Sequence, residues 1–345
     1  MLANPTTIEE ITPAWMTMAL GQGVRALETE NLGGEGRGFL SGVARVRLDY
    51  AAPVDGAPES VVVKLPTTVE AGREIALANK AYLRELRFYR EIAPESPIRV
   101  PRCYFACLDD SVLVLEDARA WTPGDQIAGL SLAQAEAAVR AIGRFHAHWW
   151  DRTGAETLDW VPKEVSLSFR LYEESWPGFL ERHASEMSPD AQAVGARVAA
   201  NCARLSALIA AGRQTLVHGD FRADNLLFQG PGVLALDWQW LTRMIGAYDV
   251  ARLVCGSLPT RLGHGNHRRL CGLWHQELTA AGVAGYGPDA AWRDYQLGLL
   301  LYSYLPVVCD YFFSHEGGRS RQLLHALIDR VFHAVTECGA VERLG

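Results

Sequence analysis

The chain has 345 residues, of which 49% are hydrophobic and 21% are charged, and its 33 Lys and Arg against 40 Asp and Glu give a formal net charge of −7. This composition excludes a disordered or collagen-like chain and predicts a globular protein long enough for two folding units. The surplus of acids argues against a nucleic-acid partner, because a general nucleic-acid surface needs a basic face.

The first third of the chain is predicted to be rich in strands. A short helix is expected over 8–20, with Thr12 as its cap and Pro13 in its first turn. A glycine-dense turn at 31–41 is flanked by strands, and the strand after it, 43–50, alternates apolar and polar residues. The remaining predicted elements of this part are strands at 60–65, 102–108 and 112–115 and one long amphipathic helix at 73–92. Five strands and a helix form a small sheet lobe.

The remainder is predicted to be mainly helical. Ser131 can cap a helix that continues to Trp150, with apolar residues along one face. Two short hydrophobic runs, 214–218 and 233–236, flank a polar loop. The predicted fold class is therefore α+β, with an N-terminal lobe at 1–116 and a larger helical lobe at 117–345.

The cysteines and the termini favour a cytoplasmic protein. Seven cysteines are scattered without a C-x-x-C pair, which predicts reduced thiols rather than disulfides or a structural zinc site. The N-terminal sequence lacks the basic and apolar regions of a secretory signal. The most apolar stretch, from Leu297 to Cys309, is shorter than the ~20 residues that span a bilayer, so it predicts a buried helix and no membrane insertion.

The strongest motif is His218-Gly-Asp-Phe-Arg-Ala-Asp-Asn225, followed by Asp237 at the end of an apolar strand. Its H-x-D-x-x-x-x-N spacing is that of a kinase catalytic loop. Such chemistry needs one carboxylate facing the hydroxyl that is phosphorylated, and an amide and a second carboxylate on Mg²⁺. We expect Asp220 to be the base or orienting group, and Asn225 and Asp237 to be the metal ligands. A lone HGD would instead predict a turn and Asp237 a strand cap, but the joint pattern in this order disfavours that alternative.

The glycine-dense turn is a candidate phosphate loop. Glycines without side chains let backbone N–H groups approach phosphate closely. The expected nucleotide-binding residues of this turn are Gly34, Gly36, Gly38 and Ser41.

A lysine and a glutamate downstream fit the same site. Lys64 lies on an apolar strand, where its ammonium could pair with the α- and β-phosphates, although an edge-strand lysine is an equal alternative. Glu85 on the following helix is the best candidate to orient this lysine, and Glu74 is the second choice. Surface solvation is the alternative for both acids.

Together these motifs resemble the aminoglycoside phosphotransferase and choline kinase-like superfamily of small-molecule kinases, most closely its bacterial phosphotransferase and ecdysteroid kinase-like branch. The resemblance covers nearly the whole chain, and its most specific parts are 218–225, Asp237-Trp-Gln239 and Lys64. It implies a protein-kinase-like fold of two lobes and a kinase that uses ATP and Mg²⁺.

The resemblance also implies an inter-lobe hinge at Leu115, Glu116 and Asp117, whose backbone would bind the adenine. From the sequence alone, this segment predicts only a strand that runs into a turn.

Four further residues have candidate roles beside these motifs. Arg222 could stabilise charge on the γ-phosphate or form a structural salt bridge. Asp249 resembles the acid that braces the catalytic loop from a later helix. His146 and His148 favour core or interface packing over a ligand role.

The acceptor is less well defined by the sequence. Acids such as Glu181 and Asp310 alternate with apolar residues in the helical lobe, whereas a pocket for a polycation needs clustered acids. Aromatic residues cluster near Asp310, namely Tyr302, Tyr304, Tyr311, Phe312 and Phe313. If they line a pocket, the acceptor is a hydrophobic alcohol such as a steroid, terpenoid, macrolide or aromatic alcohol. The alternatives are an aminoglycoside-type antibiotic kinase and a nucleotide-binding pseudokinase, and the protein is expected to be a monomer or homodimer.

Overall fold

The computed structural model describes residues 3–33, 40–53, 55–154, 156–163, 166–310 and 318–345, with only the backbone of 166–169. The chain divides into two compact units. The first comprises Met1–Ser96, Val100–Trp121 and Leu236–Trp240, and the second Pro97–Arg99, Thr122–Ala235 and Leu241–Gly345. The first unit therefore extends past the expected boundary at 116 and includes a short segment that follows the catalytic-loop motif in the sequence.

A five-stranded antiparallel sheet forms the centre of the first unit, in the order β1-β2-β3-β5-β4. Its strands are β1 (Val24–Asn31), β2 (Ser41–Tyr50), β3 (Ser60–Pro66), β4 (Cys103–Cys107) and β5 (Val112–Glu116). Helix α1 (Pro13–Leu20) packs Trp15 and Met16 onto one face of this sheet, and the side chain of Thr12 accepts a hydrogen bond from the Trp15 N–H as predicted. Val63 and Leu65 of β3 belong to this core, so the side chain of Lys64 between them lies on the other face of the sheet.

The predicted single helix at 73–92 is wrong, because the chain breaks at Asn79 and Lys80. Helix α2 (Glu70–Ala78) ends there, α3 (Ala81–Arg87) begins anew, and a wider helical turn spans Phe88–Ile92. The Asn79 side chain donates to the Ile75 carbonyl at 2.8 Å, and Lys80 takes a left-handed conformation with φ 53°. An asparagine that binds its own helix end offers the backbone an alternative to helix continuation, and periodicity alone does not detect it.

Helices dominate the second unit. They are α4 (Leu132–Trp149), α5 (Ser166–His183), α6 (Pro189–Ala199), α7 (Cys202–Ala210), α8 (Ala247–Ser257), α9 (Thr260–Gly263), α10 (His267–Ala280), α11 (Pro288–Tyr302), α12 (Tyr304–Val308) and α13 (Gly318–Glu337). Ser131 and Gln134 form a reciprocal capping box at the start of α4. The short strands are β6 (Thr122–Pro123), β7 (Thr215–Val217), β8 (Leu226–Gln229), β9 (Gly232–Ala235) and β10 (Thr242–Met244).

Two small sheets hold the catalytic-loop motif. Strand β7 pairs with β10, and β8 lies between β6 and β9. The motif 218–225 connects β7 to β8, so both of its ends are fixed by strands. The two predicted hydrophobic runs are the strands β7 and β9.

The apolar stretch 297–309 is not one continuous helix. Helix α11 ends at Tyr302, and α12 begins after Ser303. Pro306 lacks the N–H that would bond to the Tyr302 carbonyl, so the break is a consequence of the proline. Within the described residues, no single helix is long and apolar enough to cross a membrane, although the bent pair Pro189–Ala199 and Cys202–Ala210 passes the same test jointly.

Candidate active site

The first unit brings together three charged residues that are far apart in the sequence. Lys64 Nζ lies 2.7 and 2.8 Å from the two carboxylate oxygens of Glu85 and 2.9 Å from Asp237 Oδ1. The Glu85 side chain is 4% exposed and that of Lys64 13%. Glu74, the second choice as partner, is exposed. The structure therefore selects Glu85, and Lys64 is not an ordinary edge-strand lysine.

The electrostatics of this triad keep the lysine charged. Burial alone would lower the pKa of Lys64, but the negative charges of Asp237 and Glu85 outweigh it and raise the pKa above its ordinary value. Burial raises the pKa of Glu85, with Asp237 adding to the effect and Lys64 opposing it. Lys64 is thus a permanent cation whose position is set by two acids.

Asp237 is held by an unusual backbone conformation and by its neighbours. Its φ is 64°, in the left-handed region that an aspartate rarely adopts. Gln239 Nε2 donates to Asp237 Oδ2 at 2.9 Å. The fully buried Trp238 stacks on Phe88 with ring centroids 4.0 Å apart and an interplanar angle of 6°. These contacts anchor the segment 236–240 in the first unit and fix the Asp237 carboxylate beside Lys64.

The other expected nucleotide-binding residues of the first unit that the structure describes lie in or beside its strands. Ser41 is buried at the start of β2, and Leu115 is buried in β5. The side chain of Asp117 accepts hydrogen bonds from Ser60 Oγ at 2.6 Å and from Arg45 Nε at 2.9 Å, so it stabilises the strand ends. The glycines Gly34, Gly36 and Gly38 lie outside the described residues.

The N–H of Glu116 already donates to the Arg102 carbonyl at 2.8 Å within the same unit. That bond extends the pairing of β4 and β5, so it is a sheet contact rather than a contact available to an adenine. The role of the predicted hinge in binding the base stays a prediction.

In the second unit, Asp249 fixes the start of the catalytic-loop motif. Its carboxylate accepts the backbone N–H of His218 at 2.6 Å and that of Gly219 at 3.0 Å. Gly219 has φ 79°, a conformation that suits glycine. Asp249 is completely buried in the first turn of α8. The predicted bracing role of this acid agrees with these contacts.

His146 belongs to the same network. Trp274 Nε1 donates to His146 Nδ1 at 3.0 Å, which places the imidazole proton on Nε2. Nε2 then donates to Asp249 Oδ2 at 3.2 Å. His146 is therefore a buried structural residue, as the favoured prediction of core packing states, and it supports the catalytic-loop motif through Asp249.

Asp220 is surrounded by hydrogen-bond donors. Arg252 Nη2 donates to its Oδ1, Arg222 Nε lies 3.2 Å from both oxygens, and Asn225 Nδ2 donates to Oδ2 at 2.9 Å. Burial alone would raise the pKa of Asp220, but the charges of Arg252 and Arg222 outweigh it and lower the pKa to about 2. Asp220 is thus ionised at every physiological pH.

Sequence reasoning missed Arg252, which is 4% exposed on α8. A signal existed: Arg252 lies three residues after Asp249 and therefore on nearly the same helix face. Its Nη1 donates to Tyr248 Oη at 3.0 Å, and its guanidinium lies 4.8 Å from the centroid of the Tyr302 ring. These contacts hold the cation against Asp220.

Arg222 links Asp220 to a second carboxylate. Its Nη1 donates to Gln126 Oε1 at 2.8 Å and to Asp224 Oδ2 at 3.2 Å. Asp224 is also paired with Arg319, 3.1 Å away. Among the three donors to Asp220, Arg222 has the most exposed charged side chain, at 22% against 5% for Arg252.

Asn225 has the geometry of an oxygen ligand. Its amide nitrogen donates to the backbone carbonyl and to the side chain of Asp220, both at 2.9 Å. The carbonyl oxygen Oδ1 therefore remains as the atom that can bind a cation. Oxygen donors from Asn and Asp are the ligands that Mg²⁺ prefers, so Asn225 and Asp237 fit this metal chemically.

Of the aromatic residues expected to line an acceptor pocket, the structure describes two. Tyr302 is fully buried against the Arg252 guanidinium, which lies 4.8 Å from its ring centroid, and Tyr304 is partly exposed. Asp310 is 2% exposed and is paired with Arg182 and His183 at 2.6 and 2.8 Å. Tyr311, Phe312 and Phe313 lie outside the described part of the chain.

Comparison with protein families gives a match to the phosphotransferase enzyme family over residues 54–297, well over half of the chain. This range contains Lys64, Glu85, the catalytic-loop motif, Asp237 and Asp249. No curated protein matches the sequence.

Solved structures share the fold at low sequence identity. A candidate aminoglycoside phosphotransferase from Ralstonia eutropha JMP134 is 16% identical with a TM-score of 0.57, over 96% of this chain and 97% of the other. Choline kinase from Cryptosporidium parvum Iowa II is 10% identical with a TM-score of 0.59, over 95% and 90%. The gentamicin complex of APH(2″)-IIa is 14% identical with a TM-score of 0.54, over 98% and 99%.

Proposed function

Because the chain belongs to the phosphotransferase enzyme family, we propose that it transfers the γ-phosphoryl group of ATP to a hydroxyl of a small molecule. The observation that carries this proposal is the contact of Lys64 with both Glu85 and Asp237. A strand lysine oriented by a helix glutamate, next to an aspartate that suits a metal, is the arrangement that phosphoryl transfer requires. The buried lysine would pair with nucleotide phosphates.

Asn225 and Asp237 are the residues that would hold Mg²⁺. When bound, the ion would neutralise charge on the nucleotide phosphates. Each residue is already oriented within its own unit, Asn225 by its hydrogen bonds to Asp220 and Asp237 by Gln239 and Lys64.

Asp220 would orient the acceptor hydroxyl and take up its proton late in the transfer, after the bond to the phosphoryl group has begun to form. A carboxylate whose pKa is about 2 is a weak base, so early proton abstraction contributes little. Phosphoryl transfer proceeds through a loose transition state in most analyses, and it depends mainly on positioning and charge stabilisation. An ionised, rigidly held carboxylate meets this requirement.

Arg222 is the donor that the acceptor would replace at Asp220. The carboxylate has about four lone-pair sites, and Arg252, Asn225 and the bifurcated contact of Arg222 occupy them. The Arg222 contacts are long, at 3.2 Å, and the side chain is the most exposed of the three. When a hydroxyl binds to Asp220, the Arg222 guanidinium becomes free to stabilise charge on the transferred phosphoryl group.

The test is a coupled measurement of ADP release with a panel of alcohols as acceptors. Asp220→Asn keeps the shape and removes the charge, so we expect turnover to fall by about 10²–10⁴ with the fold intact by circular dichroism. Asp190→Asn, at an exposed carboxylate in the first turn of α6, is the matched control and should retain full activity. Full activity in Asp220→Asn would refute the assignment.

A hydrophobic alcohol is the acceptor class that we propose. Arg252, which donates to Asp220, lies against the buried Tyr302 ring, and the partly exposed Tyr304 two residues further along offers an aromatic surface to the acceptor. Two buried acids of the second unit are paired internally: Asp224 with Arg222 and Arg319, and Asp310 with Arg182 and His183. A polycation gains little from carboxylates that are already neutralised. This charge balance favours an apolar acceptor over an aminoglycoside.

The alcohol panel separates these classes. Steroid, terpenoid, macrolide and aromatic alcohols should support ADP release, and aminoglycosides such as gentamicin should not. A preference for aminoglycosides would overturn the acceptor assignment but not the phosphotransfer. If the protein binds ATP but releases no ADP with any acceptor of the panel, the result would indicate a pseudokinase.

A further inference from the structure

A cluster of imidazole and carboxylate groups lies away from the catalytic-loop motif, where the loop between α9 and α10 meets α13. His264 lies in that loop, and His333 and Glu337 lie one turn apart on α13. Glu337 Oε2 is 3.3 Å from His264 Nδ1 and 3.5 Å from His333 Nε2. The three ligand-type atoms all lie within 4.8 Å of one another.

These separations match the edges of a metal coordination shell. Zinc binds His nitrogen at about 2.0–2.1 Å and carboxylate oxygen at about 2.0–2.2 Å, so neighbouring ligands of a tetrahedral ion lie about 3.3–3.5 Å apart. The two measured distances from Glu337 Oε2 fall at this spacing. The His264 and His333 side chains are 70% and 44% exposed, so both imidazoles have room to turn towards one ion.

The surroundings orient the carboxylate. The backbone N–H of Gly265 donates to Glu337 Oε1 at 2.7 Å, which leaves Oε2 facing the imidazoles. In metal sites the carboxylate that binds the ion commonly accepts such a hydrogen bond on its other oxygen, which fixes its orientation. Gly265, with φ 73°, is the residue that lets the loop turn its N–H towards α13.

A fourth group completes the cluster from the buried side. His267 Nε2 lies 3.8 Å from Glu337 Oε2, and its Nδ1 is 2.8 Å from Tyr295 Oη. The hydrogen bond to Tyr295 fixes the imidazole plane, as hydrogen bonds to the other ring nitrogen do in metal-binding histidines. Gly265, His267 and Glu337 also line a cavity of about 420 Å³, which offers room for a water molecule as a remaining ligand.

We propose that His264, His333 and Glu337 bind one divalent transition-metal ion of the zinc type, with His267 as an additional ligand or a supporting residue. Imidazole nitrogen with a single carboxylate suits Zn²⁺ and its neighbours in the first transition row, whereas Mg²⁺ and Ca²⁺ prefer oxygen. The bound ion crosslinks the loop before α10 to α13, so it stabilises this part of the second unit. Nothing in this site depends on the phosphotransferase reaction.

The experiment is a calorimetric titration of the full-length protein with ZnCl₂, after chelator treatment and without a histidine tag. We expect one Zn²⁺ per chain in the wild-type protein and a rise in its melting temperature. His333→Ala and His264→Ala should each weaken binding by roughly 100-fold or more, because each removes a ligand. Glu337→Gln, which keeps the acceptor for the Gly265 N–H, should weaken it similarly.

His325→Ala is the matched control. His325 lies on the same helix, is half exposed, and pairs with Glu186 outside the cluster. This variant should bind Zn²⁺ as the wild type does. The melting temperatures of all variants in chelator should equal that of the wild type, which shows that they fold.

The proposal is overturned if the wild-type protein binds no Zn²⁺, or if His333→Ala binds it unchanged, as it would if the cysteines were the ligands. Equal losses in His325→Ala and His333→Ala would likewise overturn it, because they would indicate unspecific binding to exposed histidines. Steady-state phosphotransfer in His333→Ala need not change, so the outcome is independent of the proposed function.

Discussion

At the scale of single residues, the most consequential feature is the asymmetry of the two arginines on Asp220. Arg252 is buried and backed by Tyr248 and Tyr302, whereas Arg222 is partly exposed. Arg252 lowers the pKa of Asp220 more than Arg222 does. One arginine therefore sets the ionisation of the carboxylate, and the other is free to exchange with substrate.

Arg252→Gln is predicted to move the acid limb of the activity profile to higher pH. The pKa of Asp220 in the folded protein is about 2, below the ordinary 3.8. The ionised carboxylate therefore stabilises the folded protein fully above about pH 4, and this contribution is lost as the pH falls towards 2. Loss of the neighbouring charge raises that pKa by about 1–3 units, which brings the limb to about pH 3–5. The pH dependence of kcat/KM measures it.

Arg222→Gln is the comparison for that profile. Because its charge lowers the pKa of Asp220 less, its acid limb should move less than that of Arg252→Gln. The assignment fails if Arg222→Gln shifts the limb further than Arg252→Gln does, or if neither variant shifts it.

The sequence could single out Asp220, Asn225, Asp237, Lys64 and Glu85 as candidate site residues because each belongs to a spaced motif or a periodic element. Arg252 was overlooked although its position three residues after Asp249 is a usable signal, but the Trp274–His146–Asp249 chain could not be identified in the same way. Such partners are brought together by the packing of α4, α8 and α10, and tertiary packing leaves no fixed spacing in the sequence. Asp249 could be found only by resemblance.

At the scale of elements, strands were easier to predict than helix continuity. Apolar alternation predicted β2, a β-branched run predicted β3, and the apolar segment 112–115 predicted β5, each to within about two residues, the usual precision of element boundaries. The prediction of one helix over 73–92 is wrong at Asn79 and Lys80, although the residues on both sides of this break are helical. A local side-chain hydrogen bond, not periodicity, decides this site.

Lys80→Gly is predicted to stabilise the protein slightly. Relief of the left-handed strain at a residue with a Cβ raises the free energy of unfolding by about 1–2 kcal/mol. The greater freedom of glycine in the unfolded chain lowers it by about 0.4–1 kcal/mol. We expect a net gain of about 0.5–1 kcal/mol, measured by urea unfolding of the protein.

The control for that substitution is Glu74→Gly, at an exposed position inside α2. Glycine in a helix interior lowers the free energy of unfolding by about 1 kcal/mol, so this variant should be less stable than the wild type. Destabilisation by Lys80→Gly of the same size as that by Glu74→Gly would contradict the left-handed helix break.

At the scale of the whole molecule, the two units divide the candidate chemistry between them. The first carries Lys64, Glu85 and Asp237, and the second carries Asp220 and Asn225. The sequence order of these residues predicted the function, but it did not predict that 236–240 belongs to the first unit. That membership follows from the stacking of Trp238 on Phe88 and from the contact of Asp237 with Lys64.

Nucleotide binding should therefore stabilise the molecule through the first unit. Free Mg²⁺-ATP at 100 times its Kd stabilises a protein by about 2.7 kcal/mol, provided that it binds only the folded state. Lys64→Met removes a charge-assisted contact to phosphate that is worth about 1.5–3 kcal/mol. At the same nucleotide concentration, the stabilisation should fall to about 1 kcal/mol or less. Thermal unfolding with and without Mg²⁺-ATP measures the nucleotide-dependent stabilisation of each variant, so the stability that Lys64→Met loses with its ion pairs is subtracted out.

Lys163→Met, at an exposed lysine of the second unit, is the control and should respond to nucleotide as the wild type does. An undiminished response in Lys64→Met would show that this lysine does not bind the phosphates.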